Sequence, residues 1–143
     1  MKTIALVGPQ NAGKTALLRV AQYALTEIPR TVPTIGIDLS IVRGHRVWDT
    51  SGNPRFEIVV RSILKGATTV IVVRARGQPY TLPDCAPKHI VLATRGEDDE
   101  WVEEFMKQHN PIRYRVDTLR HARHMFRQVL TAPEPSWCCW PFK

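Results

Sequence analysis

Three features of the sequence predict a doubly wound α/β fold, a mostly parallel sheet of about six strands with flanking helices. Short apolar runs of the buried-strand type alternate with stretches of helical periodicity. A glycine-bearing loop lies between the first such strand and the first helix. The 143 residues suffice for one core, and at 43% hydrophobic and 23% charged they exclude a chain disordered throughout.

The elements follow in order. Lys2 to Val7 reads as a strand, and Lys14 to about Leu25 as a helix, with Leu17, Ala21 and Ala24 at helical spacing and Pro29 beyond its end. Leu39–Arg43 and His45–Trp48 are two short strands joined at Gly44, and Ile58–Leu64 is a short helix closed by Lys65-Gly66. Thr69–Val73 is a fully apolar strand, and its successor, Arg76–Lys88, carries three prolines and cannot be a helix. His89–Ala93 is another buried strand. Trp101, Val102, Phe105 and Met106 line one face of a helix that begins among acidic residues and ends near Asn110-Pro111. Ile112–Val116 completes the sheet, and Leu119, Ala122, Phe126, Val129 and Leu130 form the buried stripe of a last helix. Residues 1–130 are therefore expected to form one domain and 131–143 a flexible tail.

The longest wholly apolar run, Val70–Val73, is far short of the roughly 20 residues that span a bilayer, and no signal-peptide pattern opens the chain. Cys85, Cys138 and Cys139 form neither a disulfide framework nor a zinc spacing, so a reducing, cytoplasmic setting is expected. The net charge of +7 suits a polyphosphate, an anionic surface or nucleic acid and does not choose among them; no specific nucleic-acid binding is expected.

Chemistry concentrates at Gly8-Pro9-Gln10-Asn11-Ala12-Gly13-Lys14-Thr15, which matches G-x-x-x-x-G-K-[ST] at a strand-to-helix junction. Backbone N–H groups of such a loop surround an anion, Lys14 reaches the terminal phosphates and the Thr15 hydroxyl ligates magnesium. In Trp48-Asp49-Thr50-Ser51-Gly52, an aspartate at a strand end can hold the metal through water, and a glycine N–H three residues on can approach the γ-phosphate. Thr34 lies in the loop after the first helix, where its hydroxyl can complete the metal shell while the γ-phosphate is present.

With Pro33-Thr34-Ile35-Gly36-Ile37-Asp38, Arg55-Phe56 and the terminal cysteine pair, these residues make the chain resemble a Ras-superfamily small GTPase, closest to the Rab branch, over Met1 to about Leu130. The resemblance implies a P-loop NTPase fold, GTP/GDP and Mg2+ as ligands, and loops around Thr34 and Gly52 that GTP orders and GDP relaxes. It assigns nucleotide contacts to Gly8, Asn11, Ala12, Gly13, Lys14, Thr15, Ala16, Thr34 and Gly52, metal to Thr15, Thr34 and Asp49, and effector contacts to residues 30–40 and 53–66.

Departures from the family carry their own expectations. Asn53 stands where a water-orienting glutamine is usual, and Gln10 stands where a small residue is usual, so hydrolysis should be slow, at or below about 10⁻⁴ to 10⁻³ per second. Asn53, Gln10 and Lys14 are the candidate catalytic residues. The guanine-reading N-K-x-D is replaced by Thr94-Arg95-Gly96-Glu97, in which Glu97 can accept the base N–H groups and the Arg95 stem can lie over the base. Asp117 or Thr118 is expected to cap the last helix.

The chain is also short for the family. A long helix that normally crosses the sheet is missing at 76–88, which leaves an apolar face for Tyr80 and Leu82 to cover or for self-association. Cys138-Cys139 resembles a Rab lipidation signal without a C-a-a-X ending, which implies attachment to the cytosolic face of a membrane. Two alternatives remain: a hydrolysis-deficient decoy that engages effectors, and a P-loop nucleotide kinase, disfavoured by the lack of an arginine-rich lid.

Overall fold

The computed structural model describes residues 2–23, 36–84 and 89–133. Its six strands are β1 (Thr3–Val7), β2 (Ile37–Val42), β3 (His45–Thr50), β4 (Thr69–Ala75), β5 (His89–Arg95) and β6 (Ile112–Arg115). Four helices flank them: α1 (Lys14–Gln22), α2 (Glu57–Gly66), α3 (Glu100–His109) and α4 (Leu119–Thr131). The sheet order is β2-β3-β1-β4-β5-β6, parallel except for β2. The doubly wound sheet expected from the alternation is thus the fold observed.

Period-two alternation along β1 splits the core. Ile4 and Leu6 face a cluster with Leu17 and Leu18 of α1 and Met125, Phe126 and Val129 of α4. Ala5 and Val7 face a second cluster with Val60 and Leu64 of α2 and Val102 and Phe105 of α3. Both faces of the central strands are therefore buried, which is why they read as continuous apolar runs. Fully buried Leu64 anchors α2, and its truncation to alanine is worth about 2–5 kcal/mol on the general scale of core deletions.

Local signals set the ends of the elements. Arg43 and Gly44 both have positive φ, 50° and 82°, and make the two-residue turn between β2 and β3. Asp99 caps α3 by accepting from the Val102 N–H, and left-handed Asn110 ends it ahead of Pro111. Thr118, one of the two expected caps, accepts from the His121 N–H at the start of α4.

Two strands run further than their apolar runs suggest. β4 extends to Ala75 and pairs with β5 as far as Arg95, so Thr94 and Arg95 end a strand instead of following one. β3 includes Asp49, which pairs with Leu6 and Asp38. Ladder hydrogen bonding carries Asp49 into the sheet despite its low strand preference and holds Arg95 at the strand end. Between β4 and β5, residues 76–84 contain no helix. Tyr80 and Leu82 pack against the second cluster, so the chain's own proline-rich loop covers apolar surface there. No helix among the described residues is long and apolar enough to cross a membrane.

Candidate functional site

The site lies at the carboxyl ends of β1, β3, β4 and β5, where β1 separates strands whose connections run to opposite sides of the sheet. Its first part is the loop from Gly8 to Gly13. Gly8 has φ +149°, and a Cβ there would fall 2.1 Å from the Val73 carbonyl oxygen, so only glycine lets the loop leave β1 against β4. Asn11 adopts φ 62°. No side chain caps the N-terminus of α1 and no acidic residue stands in its first turn. The helix dipole and first-turn amides therefore favour an anion at this end.

Lys14 is the first residue of α1 and is buried. Its Nζ donates to the carbonyl oxygens of Gly8 at 2.9 Å and Pro9 at 2.7 Å, which fixes the ammonium across the loop. Burial pulls its pKa from 10.5 down to about 8, and the nearby Asp49 carboxylate resists that shift. An ammonium made costly by burial and only partly compensated gains strongly from an incoming anion.

Thr15 Oγ1 donates to Asp49 Oδ2 at 2.5 Å, which brings residues 34 positions apart into one cluster. Hydroxyl and carboxylate oxygens side by side are hard donors of the kind magnesium takes, so the residues present fit that ion. Gly52 closes the cluster, because a Cβ there would lie 2.3 Å from the Gln10 nitrogen and 2.5 Å from the Pro9 carbonyl carbon. The segment after β3 thus rests directly on the phosphate loop. Asn53 turns elsewhere: its Oδ1 accepts from the Arg55 N–H and caps a short 3-10 turn, Pro54–Phe56.

The residues expected to read the base are arranged differently. Arg95 Nη2 donates to the Asn11 carbonyl at 3.1 Å, and a Cβ on Gly13 would lie 3.3 Å from the Arg95 Cζ, so this guanidinium lies over the phosphate loop. Thr94 is buried, and its Oγ1 accepts from Arg113. Glu97, with a side chain 82% exposed, accepts from Arg76 Nη1 at 3.0 Å. Asp98 binds Arg113 through two hydrogen bonds that hold its carboxyl below the usual range. Asp117 accepts the Gly96 N–H at 2.7 Å and pairs with Arg115; these bonds, the backbone one foremost, lower its pKa. It ties two loops together, while the cap expected of it falls to Thr118 alone.

The structure therefore brings Gly8, Asn11, Ala12, Gly13, Lys14, Thr15, Asp49 and Gly52 into one locus, with Ala16 behind it in the first turn of α1 and Arg95 above it. Thr34, Cys138, Cys139 and residues 30–35 of the expected effector segment lie outside the described residues. Sequence reasoning missed Arg74, Gln78, Asp99 and Trp101, which join α3 to the loop after β4. The one signal available was an arginine, Arg74, at the end of an otherwise apolar strand.

A strand, a phosphate-type loop, a helix and a carboxylate at the end of a neighbouring strand define a P-loop GTPase α/β fold. The chain is 33% identical to Ras-related protein RABC2b of Arabidopsis thaliana over 106 residues, 66% of this chain and 51% of that protein. It is 35% identical to Ras-related protein RABC2a of the same plant over 106 residues, covering 66% and 50%. GTP-binding protein ypt1 of Schizosaccharomyces pombe is 35% identical over 77 residues, 48% of this chain and 37% of that protein. Over these stretches the chain is similar to Rab proteins of the Ras-superfamily small GTPases. The chain spans about half the length of the curated relatives it matches. No protein-family model matches it.

Proposed function

We propose that the chain is a Rab-like nucleotide switch that binds GTP and GDP with magnesium and hydrolyses GTP slowly. The observation that carries this is the single cluster of loop amides, Lys14, Thr15, Asp49 and Gly52. Lys14 and the α1 N-terminus bind the phosphates, and Thr15 and Asp49 are the residues that would hold magnesium. When bound, the ion supplies positive charge to the phosphate oxygens. Gly52, resting on Gln10, is where occupancy of the loop is felt by the segment that follows β3.

Slow turnover follows from Asn53, whose amide oxygen is engaged by Arg55 and whose neighbour Pro54 restricts the backbone. That engagement also favours a second reading, a nucleotide-binding module that engages partners without cycling. Partner contacts would fall on residues 36–40 and 53–66, where Ile58 is 83% exposed beside exposed Val59 on α2. Action in membrane traffic, with lipid on Cys138 and Cys139, is the role that fits such a switch.

Calorimetric titration with magnesium GDP and a non-hydrolysable GTP analogue, followed by single-turnover hydrolysis, tests the proposal. One-to-one binding of both nucleotides with phosphate release at or below about 10⁻³ per second is expected. No binding at millimolar nucleotide would refute the switch, and binding without any release over hours would favour the non-cycling module.

A further inference from the structure

In place of a long helix, the loop after β4 is fastened by side chains at three successive points. Gly77 N donates to Asp99 Oδ2 at 2.9 Å, Arg74 Nε donates to the Gln78 carbonyl at 2.6 Å, and the Tyr80 carbonyl accepts from Trp101 Nε1 at 2.7 Å. The anchors also bind one another. Arg74 forms a two-pronged pair with Asp99 at 2.9 and 2.8 Å, and its guanidinium lies 4.3 Å from the centre of the Trp101 ring.

At the centre of this loop the Gln78 amide is fully oriented. Its Oε1 accepts the Ala75 N–H at 2.9 Å, which turns Nε2 to donate to the Gln10 carbonyl at 2.9 Å, 68 residues away in the phosphate loop. Arg95 holds the next carbonyl, that of Asn11, as well. In a planar trans peptide the C=O and N–H point in opposite directions. Pinning the carbonyls of Gln10 and Asn11 to Gln78 and Arg95 therefore fixes the N–H groups of Asn11 and Ala12 to point the opposite way.

We propose that Gln78 is a positioning residue for polyphosphate: by holding the Gln10 carbonyl it presets the amides of the loop toward the anion. This deepens the nucleotide-binding function and rests on it. Gln78 does not touch the ligand; it removes the cost of ordering the loop at the moment of binding.

Two variants test it in the intact chain. Gln78→Leu removes both side-chain bonds, and Gln78→Glu keeps the acceptor for Ala75 but replaces the donor with an oxygen facing the Gln10 carbonyl. Two quantities are measured: release of a fluorescent GDP analogue, and amide hydrogen exchange in the nucleotide-free protein.

Loss of one net hydrogen bond corresponds to about fivefold faster release. Exchange at Asn11 and Ala12 should quicken by a similar factor, with residues 69–74 of β4 and all of α3 unchanged, Ala75 quickened only in Gln78→Leu, and Gln78→Glu at least as impaired at the loop as Gln78→Leu. Release and loop exchange at wild-type rates would overturn the role of Gln78 while leaving nucleotide binding intact. Faster exchange spread equally over residues 69–74 of β4 and over α3 would overturn it in favour of a merely structural part. If the unmodified protein bound no GDP, the switch would fall, and exchange at Asn11 and Ala12 would by itself decide whether Gln78 presets the loop.

Discussion

The two halves of the site use different material. Around the expected phosphate position the donors are backbone amides and one lysine, in a loop whose shape is enforced by Gly8 against Val73 and Gly52 against Gln10. Around the expected base position the groups are side chains, and they bind one another: Arg76 with Glu97, Arg113 with Asp98, Arg115 with Asp117. Backbone recognition survives substitution because every residue type but proline carries an N–H. Side-chain recognition is lost once its carboxylate has an arginine of its own. The difference predicts that nucleotide affinity rests on the phosphates, with guanine discrimination weakened.

The largest effect that sharpens this contrast is at Lys14. Lys14→Ala removes a buried charged donor from the loop, and affinity for a triphosphate should fall on the order of a hundredfold by calorimetry. A loss under tenfold would mean that the loop does not carry the binding. Next comes Gly52→Ala, whose methyl meets backbone atoms of Pro9 and Gln10 that cannot move aside. Overpacking of this kind costs about 1–3 kcal/mol, read as a lowered thermal midpoint; an unchanged midpoint would show that the two segments separate freely.

The third prediction concerns pH. A bound polyphosphate favours the charged form of Lys14, whose pKa without ligand is about 8. Above that pH, binding must take up a proton, and affinity should fall by up to about tenfold per pH unit. The same depressed pKa acts oppositely on folding: between about 8 and 10.5 the unfolded chain binds more protons, so this lysine's contribution to stability rises with pH. A Lys14→Ala variant should lose both dependences.

The smallest effect is at Glu97. Because its exposed carboxylate is engaged by Arg76, Glu97→Ala should change the preference for GDP over ADP by less than about threefold, on the scale of an exposed ion pair. A tenfold loss of preference would show that Glu97 leaves Arg76 to read the base, and the contrast between the halves would dissolve.

What was legible in the sequence follows the same division. The phosphate loop is local, eight residues at one strand-to-helix junction, so motif and fold predicted each other. The strands were visible because both faces of the sheet are buried, and Asn110 announced the end of α3. Strand ends were hidden because the ladder, not residue preference, carries Asp49 and Arg95 into the sheet. The Arg74–Asp99 pair, 25 residues apart, and the Gln78–Gln10 bond, 68 apart, have no spacing rule to betray them. Tyr80 and Leu82 were anticipated as cover because a missing helix leaves apolar area to fill.

The most direct measurement is competition of inorganic triphosphate, GTP and ATP, each with magnesium, against a fluorescent GDP analogue on the intact chain. Affinity borne by the phosphate loop predicts that all three displace it, with GTP and ATP within about tenfold of each other. Displacement by GTP alone, with triphosphate and ATP inert at millimolar concentration, would contradict it.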